Sequence, residues 1–152
     1  MKQEVSELTE KEQQWIALQL QAASGFIESF SPQDGGKPIT LAALDRAFAA
    51  WIATNPMDID IINKIINGVG IRFGQALVDG LGMKWVIVND DLGTDLAAHG
   101  FPQRGDVLVF PANFVAKRWE RREINFLEDS YRKIEDQMNS ISKSWDLSNP
   151  KI

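Results

Sequence analysis

Residues 59–99 change periodicity part-way, and that change constrains the fold more than any other feature of the chain. Ile59, Ile62, Ile66, Val69, Phe73 and Leu77 recur at helical spacing as far as Leu81, with Gly70 and Gly74 inside the repeat. Gly82 then reads as a helix stop. Trp85–Val88 reads as a buried strand, Asp90–Gly93 as a tight turn and Thr94–Ala98 as the returning strand. A helix that feeds a hairpin points to a mixed α+β domain.

Asn63, Asn67, Gly70 and Gly74 share a stripe about 60° wide on a helical wheel. Apolar residues flank it on both sides, so the stripe should be covered. A glycine inside a helix costs about 1 kcal/mol relative to alanine. Two on one face predict that the sheet carrying Trp85, or a neighbouring helix, packs unusually close. The asparagines then either bond to backbone and water or line a small polar pocket shared with Gln19.

The remaining elements follow from caps and breakers. Thr9 and Glu12 have the spacing of a capping box. Leu8, Trp15, Ile16, Gln19, Leu20, Ala23, Phe26, Ile27 and Phe30 then fall within an arc of about 140°. A loop over residues 31–38 precedes a helix from Leu41 to Thr54, capped by Thr40. Asn55 and Pro56 break it, and either Asn55 or Asp58 caps the next helix. Residues 100–106 read as a loop, Val107–Phe110 as a third strand and Ala112–Trp119 as a helix. Residues 120–123 are either a break or a continuation. Ile124, Leu127, Tyr131, Ile134, Met138, Ile141 and Trp145 alternate in steps of three and four, a helical seam that serves the protein's own core or a dimer.

A chain of 152 residues is one domain by length. Residues 1–8 and 146–152 are expected to be frayed tails. With 16 Lys+Arg against 21 Asp+Glu, the net charge of −5 argues against general nucleic-acid binding and suits a basic partner. There is no cysteine, which excludes disulfides, thiol catalysis and thiolate zinc sites. The N-terminal residues lack the apolar core of a signal peptide and no apolar run reaches membrane-spanning length, so a cytoplasmic protein away from membranes is expected.

Three further groups are candidates for chemistry. Asp90, Asp91 and Asp95 gather carboxylates at the hairpin turn, but their spacing does not match a calcium loop. His99, the single histidine, is placed by Gly100, Phe101 and Pro102 in a loop, as a surface or capping residue. No nucleophile motif accompanies it. Lys117, Arg118 and Trp119, with Arg121 and Arg122, form the basic cluster: a grip on phosphate or an acidic surface with Trp119 as anchor, or a solvated helix end.

Between Gly70 and Lys117 the chain resembles a family of small bacterial domains of unknown function. The likeness lies in the Gly70–Gly74 helix, in Leu81, Gly82, Trp85 and Val86, in the Asp90–Gly93 turn, and in Val107–Pro111 with Lys117 and Arg118. It implies a mixed helix and antiparallel-sheet domain and brings no established catalytic residue; from the residues themselves no metal site and no cofactor are expected.

The expected architecture is a helical N-terminal half, a small antiparallel three-stranded sheet over residues 85–110 and a long C-terminal helix. The expected function is a non-enzymatic protein-binding module, an immunity-type inhibitor being one concrete version. The alternatives are a small-ligand binder or enzyme using carboxylates near residues 90–95, and a self-associating structural protein. A deep pocket lined by Asn63, Asn67 or Asp95 would favour a ligand, and a flat or convex surface a partner.

Overall fold

The backbone N–H of Thr9 donates to Glu12 Oε1 at 3.1 Å and its hydroxyl to Oε2 at 2.6 Å, so the expected capping pair launches the first helix. Thr40 accepts from the Ala43 N–H at 3.1 Å, and Asp58 accepts from the N–H groups of Asp60 and Ile61. Asp58 therefore caps the third helix. Asn55 lies in the left-handed region at φ 56°, beyond the end of the second helix. Gly82 stops the third helix in the same region at φ 67°.

A computed structural model of the chain describes residues 3–148. The order is β1 (Glu4–Ser6), α1 (Glu10–Phe30), α2 (Leu41–Ala53), α3 (Ile59–Leu81), β2 (Lys84–Asp90), β3 (Gly93–Gly100), β4 (Val107–Val109), α4 (Pro111–Glu120) and α5 (Leu127–Ser148), with a 3-10 turn at Pro32–Asp34. The sheet is antiparallel in the order β1-β2-β3-β4. It has four strands where three were expected. Glu4–Ser6, expected in a frayed tail, pair with Ile87–Asn89. This strand is three exposed residues paired to β2, so no apolar alternation announces it. Residues 149–152 of the other expected tail lie outside the described residues, and α5 runs on through Ser148.

Both helix-seam questions have physical answers. Arg122 at φ 55° and Asn125 at φ 58° break the chain between α4 and α5. Ile124 consequently sits before α5 and is exposed, outside the seam that its spacing predicts. The rest of the seam packs inward: Leu127 and Met138 are buried, and Tyr131, Ile134 and Ile141 lie against the main core. Trp145 meets Phe101 edge-on at 4.6 Å. Tyr131 and Met138 sit where Gly80 and Gly100 leave room, a Cβ on Gly100 standing 2.7 Å from Met138 Cε.

Aromatic contacts in the main core join α2, α3 and α4 with Phe126, the residue just before α5. Trp51 stacks near Trp119 at 4.8 Å, and Phe48 meets Phe126 edge-on at 5.5 Å. Asp45 is buried at 7% exposure and caps α5 from α2, accepting from the N–H groups of Leu127 at 2.9 Å and Glu128 at 3.1 Å. Its desolvation raises its pKa above 3.8, against the lowering effect of those two N–H groups.

The glycine stripe closes as expected. A Cβ on Gly70 would stand 2.7 Å from Ala112 Cα and 2.9 Å from the Pro111 carbonyl oxygen. A Cβ on Gly74 would collide with the Trp85 indole and lie 2.7 Å from Pro111 Cγ. Both helix and sheet approach α3 here. The Trp85 N–H, carried into this contact, donates to Gln75 Oε1 at 2.9 Å.

Gly70→Ala and Gly74→Ala are each expected to destabilise by about 1–3 kcal/mol in urea melts, because overpacking outweighs the gain in helix propensity. Gly25→Ala, whose added Cβ meets nothing within 4 Å, should stabilise by roughly 0.5–1 kcal/mol. Unchanged stability at both stripe positions would refute close packing. Asp45→Ala should lose about 2 kcal/mol, leaving two helix N–H groups without their acceptor. Because the folded pKa is raised, the native state binds the extra proton. The stability of the wild type relative to Asp45→Asn should therefore increase as pH falls from that raised value toward 3.8, measured by melts over an acidic pH series.

Candidate functional site

Four elements converge on one open groove of about 670 Å³. From α1 come Lys11, Gln14, Trp15 and Leu18, spaced so that they form one stripe along the helix. From α3 come Asn67 and Ile71, one turn apart. The hairpin supplies Ile87, Thr94, Asp95 and Leu96, and α4 supplies Ala112. The groove exists because Gly70 lets the start of α4 lie on α3, which brings Ala112 beside Ile71 and Asn67.

Its walls are unequal in character. Ile16, Ile71 and Trp85 form a buried cluster behind the groove, with Trp15, Leu20 and Leu96 packed on it. Leu18 remains 61% exposed beside this cluster. The polar members stand at the rim: Lys11, Gln14, Thr94 and Asp95 are exposed. Glu12 also borders the groove, but its carboxylate is engaged by Thr9, whose hydroxyl and backbone N–H hold its pKa below the ordinary value. The Thr94 hydroxyl donates to Asn89 Oδ1 at 2.9 Å.

In the groove the fold brings together two of the residues singled out from sequence, Asn67 and Asp95, while Asp90 joins Asp95 at a second, smaller hollow. Asn63 is exposed on α3 and does not line the groove, so the covered stripe ends before it. Asp91 occupies the hairpin turn, and Asp90 Oδ1 accepts from the Leu92 N–H at 2.8 Å.

His99 is a correction. It lies in β3, not in a loop, paired with Lys84 on one side and Leu108 on the other, and is 8% exposed. Its Nε2 is 2.9 Å from Asp106 Oδ1, which also accepts from the Gln103 N–H at 2.9 Å. The Gln103 N–H first, and His99 second, hold the Asp106 carboxyl below the usual range. The pair fastens the 101–106 loop to the sheet. The proline and glycine signals of that loop made the strand look shorter than it is, because the Lys84 and Leu108 pairings are invisible in one segment.

The basic cluster is also rearranged. Trp119 is buried against Trp51 and offers no anchor to a partner. The guanidinium of Arg122 lies 3.7 Å from the Trp119 ring centre and donates to the Trp119 carbonyl at 2.7 Å. Arg118 stacks on Phe114 at 3.5 Å and donates to its carbonyl at 3.2 Å. Lys117 is exposed. The cluster covers aromatic edges of the core rather than forming a uniform cationic face.

The sequence offered Gln19 as the α1 residue sharing a pocket with the asparagines, but Gln19 does not line the groove, and the α1 wall of Lys11, Gln14, Trp15 and Leu18 was missed. The available signal was Leu18, a large apolar residue about 60° outside the buried arc of α1. Among the described residues, no group of three His, Asp or Glu side chains could hold a metal ion, and no helix is long and apolar enough to cross a membrane.

Trp119→Ala should cost about 3–5 kcal/mol as a core truncation, whereas Lys117→Ala should stay within about 0.5 kcal/mol, both read from urea melts. Equal, small effects would return Trp119 to the surface.

No curated protein and no solved structure matches the chain significantly. A family match does cover residues 46–129, from α2 into the first turn of α5, and extends the expected likeness in both directions. It includes the α3, hairpin and α4 sides of the groove and leaves out α1. Spanning more than half of the sequence, it shows that the chain belongs to the family described as Domain of unknown function (DUF3806).

Proposed function

We propose that this protein is a non-enzymatic binding module that receives a segment of a protein partner in the groove between α1 and the β2–β3 hairpin. The carrying observation is a concave surface of about 670 Å³ where Leu18 stays 61% exposed beside Trp15, Ile71 and Leu96. The size suits a few side chains, in the range of about 300–1,000 Å³ usual for bound groups. Enclosed ligand sites bury most of their ligand. Asn67 and Asp95 line it, as a ligand pocket would require, but it is an open groove rather than a deep pocket, and its exposed rim on both the α1 and hairpin sides favours a chain passing through over a sequestered small molecule. Asn67, Thr94 and Asp95 supply polar groups at its edge to orient that chain.

Site-specific photo-crosslinking in cells tests this reading. A crosslinker at Leu18 should capture a discrete adduct with another protein, while one at Met57, which is 84% exposed and does not line the groove, should not. Identical adducts from both positions, or adducts of the chain with itself alone, would overturn the hetero-partner reading. The latter result would support self-association instead.

A further inference from the structure

The two-residue turn Asp91–Leu92 closes on the pair Asp90↔Gly93. Antiparallel ladders alternate between bonded and non-bonded pairs. Gly93, Asp95 and Ala97 therefore direct their backbone groups at β2, and Thr94 and Leu96 direct theirs away from it. β4 covers that outer edge of β3 only at Ala98, His99 and Gly100, because the chain leaves the sheet at Phe110–Pro111 to start α4. Among the described residues, no backbone or side-chain bond reaches the outward N–H and C=O groups of Thr94 and Leu96. No strand pairs with them there, and the start of α4 borders the hollows on either side through Ala112 and Asn113.

The two faces flanking this edge differ. Thr94 and Leu96 border the apolar groove on one side. On the other, Val88, Asp90, Phe110 and Asn113 line a hollow of about 230 Å³, and Thr94 and Asp95, at the edge itself, border both this hollow and the groove. Directly opposed residues share a face, and Val88↔Asp95 and Ile87↔Leu96 are opposed pairs. Asp90, Asp91 and Asp95 make no ion pair among the described residues.

We infer that the occupant is a short extended segment with alternating apolar and basic residues, adding as a strand to the free edge of β3 at Thr94–Leu96. Successive side chains of a strand point to opposite faces. The apolar residues enter the groove beside Trp15 and Leu18, and a lysine or arginine enters the hollow beside Asp90 and Asp95. Main-chain bonds supply affinity and the two hollows supply selection, as in other strand-addition interfaces. This rests on the groove being the recognition surface, and it adds the conformation and charge of what binds there.

The probe is a blocked hexapeptide of alternating leucine and lysine, titrated into the full chain by calorimetry, with amide chemical shifts read at Thr94 and Leu96. Binding should weaken about tenfold or more when glutamate replaces lysine, and likewise with Asp95→Lys. Thr94→Pro should also abolish it. That N–H points off the sheet, so proline is tolerated at this edge and the hairpin ladder survives, which circular dichroism checks. Absence of binding, or binding indifferent to both Thr94→Pro and the lysine-to-glutamate change, overturns strand addition. If that indifferent binding is still lost with Leu18→Lys, strand addition falls while the groove reading stands. Loss of the Leu18 adduct in the crosslinking experiment instead removes the groove reading itself.

Discussion

The contact of α3 with the start of α4 and with Trp85 is the constraint on which the rest of the structure depends. It is made by two missing side chains. With hydrogen at Gly70, the Pro111–Ala112 backbone lies on the helix, and with hydrogen at Gly74 the indole of Trp85 and the Pro111 ring share one site. That single approach sets the distance of the sheet from α3 and the entry of α4, and it brings Ala112 to the floor of the groove. The intrinsic cost of two helical glycines is of the order of 2 kcal/mol in total. It is offset by burying Trp85, Ile71 and Ile16 together.

The C-terminal helix is held by a different device. α5 begins after a break in which Arg122 and Asn125 adopt left-handed angles, and its first N–H groups find their acceptor on Asp45 of α2. A cap supplied from 82 positions away ties the second half of the chain to the first. The seam residues then settle onto α3 and the sheet, where Gly80 and Gly100 make space for Tyr131 and Met138. The short spacing that resembles a coiled coil is thus used within the chain.

Legibility in the sequence followed the range of the interaction. Thr9, Thr40 and Gly82 announced helix ends because capping is settled within a few residues. The hairpin turn and the inward stripe of α3 were readable for the same reason. β1 was not, since its three exposed residues pair with a strand more than 80 positions away. His99 and Trp119 were misplaced because their burial comes from Leu108, Asp106 and Trp51, none of them neighbours in sequence. Of the groove, Asn67 and Asp95 stand in the sequence among several acidic and polar residues of equal appearance, while Trp15 has the spacing of a core residue and Leu18 lies outside the apolar arc of α1.

What the sequence by itself determined is the set of local choices: an α+β chain, its helix starts and stops, the hairpin register pinned by a two-residue turn, and the requirement that something come close to Gly70 and Gly74. These rest on backbone geometry, capping and periodicity, which act over a few residues. Only the tertiary structure decided what comes close, that α5 is capped by Asp45, and that β4 leaves the edge of β3 uncovered beside a groove. Those outcomes depend on which distant surfaces meet, and a linear pattern of apolar and polar residues carries the faces of the elements without their partners.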